Sequence, residues 1–172
     1  MIANSAAMNH DPGGRGAKFF MRGIMTKGQD VEKPLSLVTS ADTENSGAKH
    51  IARSLAAEIT AEFGPRDETP LSIIAYAGDI AVGGLNGSTH WGWCYIRHLW
   101  VQPDRQRQGL GGQLLAEAET EARARYCIGL YVDTFNQGAG KFYERSGFER
   151  FGRIDDFPPG HARIFLRKRL IS

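Results

Sequence analysis

Apolar positions along this chain follow two rhythms, one helical and one extended. In SGAKHIARSLAAEITAEFG, residues 46–64, the apolar residues Ile51, Leu55, Ile59 and Phe63 recur at every fourth place. That spacing predicts one face of an amphipathic helix, which Gly64-Pro65 stops. PLSIIAYAGDIAVGGLNG, residues 70–87, predicts two strands around a tight turn at Gly78-Asp79. WGWCYIRHLWV, residues 91–101, is aromatic and β-branched and predicts a strand. The helical rhythm returns in residues 111–126, where Leu114, Leu115, Ala118, Ala122 and Tyr126 make a stripe while Glu117, Glu121 and Arg125 face outward. A mostly apolar strand, CIGLYVDTF, follows at 127–135, then a short helix in GAGKFYERSGF that Gly147 ends. Two last strands, RFGRID and ARIFLRKRL, flank the loop DDFPPGH at residues 155–161. Upstream, Pro34–Ser40 predicts one more short strand.

The central β–α–β unit (91–101, 109–126, 128–135) predicts a crossover that sets two parallel strands side by side. The remaining strands read as antiparallel, so the fold class is α/β with a mixed sheet. Residues 1–31 have no period and read as a mobile arm or a translated leader upstream of Met21 or Met25. Residues 32–172 read as a single domain.

Composition narrows the function classes. A net charge of +2 is too small to imply nucleic acid. No apolar run approaches the roughly 20 residues that span a bilayer. The first residues lack the charged-then-apolar order of a secretory signal, so the expected location is cytoplasmic. Cys94 and Cys127 stand apart with no CxxC or Cys/His cluster; we read them as buried thiols and expect no metal.

The candidate chemistry lies in VQPDRQRQGLGGQLL, residues 101–115, where Gly109, Gly111 and Gly112 open a helix. Glycine costs roughly 1 kcal/mol relative to Ala in a helix interior. Bare N–H groups at a helix N-terminus bind anions, with Arg107 adding charge. The glycines are equally open to a second reading, a turn that lets helix and strand pack closely. The triphosphate loop fails, because Gln113-Leu114 replaces Lys-Ser/Thr after Gly112. The dinucleotide fingerprint fails too, because Leu114 stands at its third glycine.

A third pattern fits. Val101, Pro103, Gln106, Gly109 and Gly111 resemble the acetyl-CoA-binding segment of the GNAT superfamily of N-acetyltransferases. NQGAGKFYERSGF matches that family's second signature through Asn136, Ala139, Phe142, Tyr143, Gly147 and Phe148. The resemblance spans about Leu71 to Leu170. It implies a mainly antiparallel sheet with a central splayed parallel pair, flanking helices, and acetyl-CoA seated in the splay. It implies backbone pairing of the pantetheine arm with Leu99 and Val101. The amides of Arg107, Gln108, Gly109, Leu110, Gly111 and Gly112 would hold the pyrophosphate beside Gln106. Asn136 matches a pantetheine-side polar residue, and Tyr143 matches the acid that protonates the departing thiolate.

The implied activity is acetyl transfer from acetyl-CoA to a primary amine of a small molecule or peptide, by direct attack. A non-catalytic acyl-CoA-binding module is the alternative. The positions that often supply the base hold Tyr95 and Arg97, neither an obvious base. His98 lies one residue off and, by strict alternation, faces away from Arg97. Asp133, Asp155, Asp156 and His161 are further candidates. In DDFPPGH, Asp155 and Asp156 would attract a cationic acceptor and Phe157 would pack on it; a stiff solvated turn is the other reading. Trp91 and Trp93 line the cleft or fill the core. Neither nucleic acid nor membrane is expected as a partner, and a homodimer stays open.

Overall fold

The computed structural model describes residues 35–170. The arm expected at residues 1–31 lies outside them. Chain contacts separate a unit ending at Asp42 from one beginning at Thr43. In the first, residues 35–40 form no strand, contrary to the sequence expectation, and Leu35, Leu37 and Val38 are exposed.

The second unit runs α1 (Ser46–Phe63), β1 (Thr69–Ala77), β2 (Ile80–His90), β3 (Trp93–Val101), a 3₁₀ turn (Pro103–Arg105), α2 (Leu110–Ala124), β4 (Gly129–Thr134), α3 (Gln137–Arg145), β5 (Glu149–Asp155) and β6 (Ala162–Arg169). Asn45 caps α1 by accepting the Ala48 N–H at 2.9 Å. Gly64 ends the same helix at φ 82°. The predicted stripe on α1 is not buried: Ile51, Leu55 and Phe63 are exposed, and the Phe63 ring meets Trp91 at 6.1 Å.

The strands form one sheet in the order β1-β2-β3-β4-β6-β5. Every neighbouring pair is antiparallel except β3 and β4, which run parallel. This is the mixed sheet the sequence predicted. Inward residues of the strands, among them Leu85, Ile96, Leu130, Ile164 and Leu166, meet Leu114, Leu115 and Ala118 of α2 and Tyr143 of α3. Cys94 and Cys127 lie in that core as free thiols; burial pushes the Cys94 thiol up to about 12. Among the described residues, no helix is long and apolar enough to cross a membrane.

Two boundaries differ from the sequence reading. β3 starts at Trp93, because Trp91 (φ 46°) and Gly92 (φ 73°) make the tight turn that joins it to β2. Tyr126 leaves the α2 stripe and is 90% exposed. The helix has already ended: Tyr126 takes a left-handed cap position at φ 58°, with the Cys127 N–H donating to Ala122 O at 2.8 Å.

The feature that positions the site is a bulge in β3. Asn86 pairs with His98, but Gly87 pairs with Ile96, so Arg97 is an extra residue in the ladder. Parallel pairing of β3 with β4 runs from Trp93↔Gly129 to Ile96↔Val132 and ends there. A bulge bends its strand and raises the local twist, and the end of β3 leaves β4 at that point. Position 87 admits only glycine, since a Cβ there would sit 1.8 Å from the Tyr95 carbonyl oxygen. Gly87→Ala is expected to destabilise the protein by about 3 kcal/mol, an overpacking cost against rigid backbone. That corresponds to a melting temperature lower by about 6–12 °C, read by calorimetry.

Candidate active site

Beyond the bulge, β3 has one paired edge and one open edge. The Gln102 N–H donates to Val82 O at 2.9 Å. By antiparallel alternation, Trp100 and His98 also turn their backbone groups toward β2, while Leu99 and Val101 turn theirs toward the gap left by β4. Gln106 Nε2 donates to the Val101 carbonyl at 3.0 Å, bracing the strand end. The Leu99 N–H and C=O and the Val101 N–H remain on the open edge.

The turn after β3 leads into the unshielded end of α2. Arg107 (φ 60°) and Gly109 (φ 87°) both take left-handed conformations. Gly109 is the N-cap and supplies no side-chain bond. The Gln113 N–H bonds Gly109 O at 3.1 Å, so the N–H groups of Leu110, Gly111 and Gly112 precede the helical ladder. Among the described residues, nothing accepts the N–H groups of residues 107–112. With the helix dipole behind them, they favour an anion.

The three glycines have different reasons. Gly109 is set by its left-handed backbone. Gly111 is set by packing, because a Cβ there would lie 3.3 Å from Phe142 Cζ. Gly112 has neither reason: its backbone is ordinary helix, and a Cβ would meet nothing within 4 Å. Its effect is to keep the space before the free amides empty, which fits a diphosphate reaching the backbone.

A cleft of about 570 Å³ joins these features. Leu99, Trp100 and Val101 form one wall, with Gln106, Arg107, Gly109, Gly111 and Gly112 at one end. Asn136, Gly138, Ala139, Phe142 and Arg145 of the α3 region form the other wall. Two residues of the turn keep their amides in it while their side chains point elsewhere. Gln108 donates its side chain to Asp104 O at 2.7 Å, and Leu110 packs toward Gly83. Asn136 spends its side-chain oxygen capping α3, accepting from Gly138 N at 2.7 Å and Ala139 N at 3.2 Å, which leaves its amide NH₂. Arg145 was missed. Its i, i+3 spacing from Phe142, itself i+3 from Ala139, was the signal that places it on the cleft face of α3.

Tyr143 is 5% exposed and does not line that cleft. Its ring packs edge-on against Phe142 at 5.3 Å and Phe148 at 5.5 Å. Burial, and secondarily the Asp133 charge, push its phenol up to about 12. Its hydroxyl makes no hydrogen bond among the described residues. A proton is therefore held there through the neutral range.

At the split of the parallel pair, Tyr95 Oη donates to Asp133 Oδ1 at 3.0 Å and Arg163 Nε donates to Asp133 Oδ2 at 2.7 Å. Burial, with the Asp133 hydrogen bond, raises the Tyr95 phenol above its usual value. Tyr95 stacks on Tyr131 at 4.8 Å, and the Arg97 guanidinium lies over Tyr95 at 5.7 Å. His98 does not oppose Arg97 as strict alternation predicted; the bulge exposes both. His98 Nδ1 lies 2.8 Å from Asn86 Oδ1. In the last hairpin, Asp155 accepts from Arg153 Nε at 2.6 Å, and Asp156 accepts the Gly160 N–H at 2.7 Å. Phe157 meets Phe135 at 5.5 Å. His161 shares a smaller cavity with Phe135, Asn136 and Gly138, next to the main cleft. Trp91 and Trp93 line a separate hollow with Tyr131 and Phe151.

The model of the acetyltransferase (GNAT) family matches residues 39–148. The chain belongs to the GNAT acetyltransferase family. It is 40% identical over 136 residues to an acetyltransferase of Agrobacterium fabrum strain C58, covering 78% of this chain and 96% of that one. It is 40% identical over 107 residues to the blasticidin-S acetyltransferase of Streptomyces morookaense, covering 59% and 78% of the two chains. A crystal structure from Agrobacterium tumefaciens that carries an acetyltransferase assignment superimposes with a TM-score of 0.68 at 37% identity, covering 80% of this chain and all of that one. The GNAT fold and acetyltransferase activity of the GNAT kind follow for this protein.

In a GNAT enzyme the empty space at Gly112 has a testable purpose. Gly112→Glu puts an acidic side chain in the first turn of α2, where it suits the helix dipole. The melting temperature is expected to hold or rise, while affinity for CoA in calorimetry falls about 100-fold, or about 2.7 kcal/mol.

Proposed function

We propose that this enzyme transfers an acetyl group from acetyl-CoA to a primary amine, by direct attack within a ternary complex. The observation that carries this reading is Gly112, a helical glycine with no role in the fold, placed before unpaired amides at the end of an open strand edge. The amides of residues 107–112 would hold the diphosphate, with Arg107 and Arg145 beside them. Leu99 and Val101 would pair the pantetheine arm, and the Asn136 NH₂ would donate to it. Acetyl-CoA, when bound, supplies the thioester whose carbonyl the amine attacks.

Two proton positions follow. The Tyr143 phenol keeps its proton through the neutral range and is the acid for the leaving sulfur. Among the candidate bases, Asp133 has both oxygens engaged and Tyr95 is itself a donor. Asp155 and Asp156 are tied to Arg153 and the Gly160 N–H. His161 keeps its ring nitrogens unengaged among the described residues, in the cavity beside Asn136 and Gly138. We assign it the amine's proton.

The test is thiol release from acetyl-CoA across a panel of amines, blasticidin S included. An enzyme that binds acetyl-CoA and acetylates no amine would contradict the reading. Tyr143→Phe retains the packed ring and is expected to lower kcat and kcat/KM together by about 10²–10⁴-fold, with CoA affinity nearly unchanged. Since the phenol sits at about 12, its ionisation adds no alkaline fall in activity below about pH 11. His161→Gln is expected to lower kcat by about 10²-fold or more while leaving CoA affinity nearly unchanged. A variant with near-normal kcat would contradict the assignment of the amine's proton to His161.

A further inference from the structure

The sequence led us to expect carboxylates at the acceptor side, and guanidinium groups accompany them there. Asp155 and Asp156, the groups expected to attract a cation, are paired with Arg153 and bound into the turn at Gly160. Asp133 is the carboxylate at the split, and both of its oxygens already accept hydrogen bonds. Two guanidinium groups lie around the Tyr95–Asp133 pair: Arg163 donates to Asp133, and Arg97 lies over the ring of Tyr95, whose hydroxyl donates to the same carboxylate.

Neither guanidinium is used up. Arg163 gives Nε to Asp133, and its two terminal nitrogens meet no acceptor among the described residues. Arg97 makes no ion pair among them and is held out by the bulge over the Tyr95 ring. Arg163 is fixed by aromatic faces, its guanidinium lying 5.2 Å from Phe135, 5.8 Å from Phe157 and 5.4 Å from Phe165. Stacking leaves the in-plane N–H groups of a guanidinium free, and that planar fork matches a carboxylate. Phe157 belongs to the loop that also carries His161, so the fork stands beside the group assigned the amine's proton.

We infer that the acceptor is an amine bearing its own carboxylate, of the amino-acid kind, with Arg163 and Arg97 binding that carboxylate while the amine faces the split between β3 and β4. This rests on the acetyl-transfer reading above.

The test compares initial rates with acetyl-CoA for a pool of common L-amino acids and a pool of the matching carboxamides. The two pools offer the same α-amines and differ in the carboxylate. The wild-type enzyme is expected to favour the carboxylate pool by about tenfold or more, the range of a charged hydrogen bond. Arg163→Gln together with Arg97→Gln is expected to bring the ratio near one. Arg163→Gln also strips Asp133 of its ion-pair partner, so Arg97→Gln alone is the safeguard: among the described residues Arg97 makes no hydrogen bond or ion pair, and that variant should fold and lose part of the preference. Equal rates, faster carboxamides, or a preference that survives both substitutions would overturn the inference. Other amines accepted while the carboxylate pool is silent would overturn it and leave acetyl transfer standing. Silence toward every amine would overturn both.

Discussion

One contact governs the layout of this enzyme: the backbone of Gly87 lies so close to the Tyr95 carbonyl that no side chain fits between them. That approach allows β3 to carry one more residue than β2 at Arg97. The extra residue has two effects. It turns the end of β3 away from β4, baring the backbone of Leu99 and Val101. It also resets which residues face the core, so that Leu99 and Val101 continue the inward row of Cys94 and Ile96 while Arg97 and His98 both stand outside.

Two places on this enzyme are suited to negative charge by different physics. At α2, unpaired amides and the helix dipole act without any formal charge, and Gly112 keeps the approach clear. At the split, full charges on Arg97 and Arg163 are held by aromatic faces. The two groups proposed to move protons are the buried phenol of Tyr143, beneath the cleft wall formed by Phe142, and the exposed imidazole of His161, in the neighbouring cavity. In that proposal a diphosphate at the first place and a small anion at the second would fix a thioester and an amine across one gap.

Much of this layout is legible in the sequence. The period of four in α1, the Gly78-Asp79 turn and the β–α–β unit all appear as expected. The glycines of the turn and the NQGAGKFYERSGF signature point to the two cleft walls. Tyr126 misled because periodicity does not mark where a helix ends; the left-handed cap does. The bulge was written in the spacing of Cys94, Ile96, Leu99 and Val101, where a step of two becomes a step of three, but strict alternation hides it. The pairing of Asp133 with Tyr95 and Arg163 depends on strand register, which local pattern does not supply; that of Asp155 with Arg153 joins alternate positions of one strand. α1 shows the converse, an amphipathic period with no buried residue among those described.

The central claim is that the open edge of β3 and the first amides of α2 together receive the CoA arm. Amide hydrogen exchange, residue by residue, with and without CoA reads those groups directly. CoA is expected to slow exchange at the N–H groups of Leu99, Val101 and residues 107–112, and to leave Trp93 and Tyr131 unchanged. Unchanged exchange at Leu99, Val101 and the α2 turn, with slowing elsewhere, would contradict it.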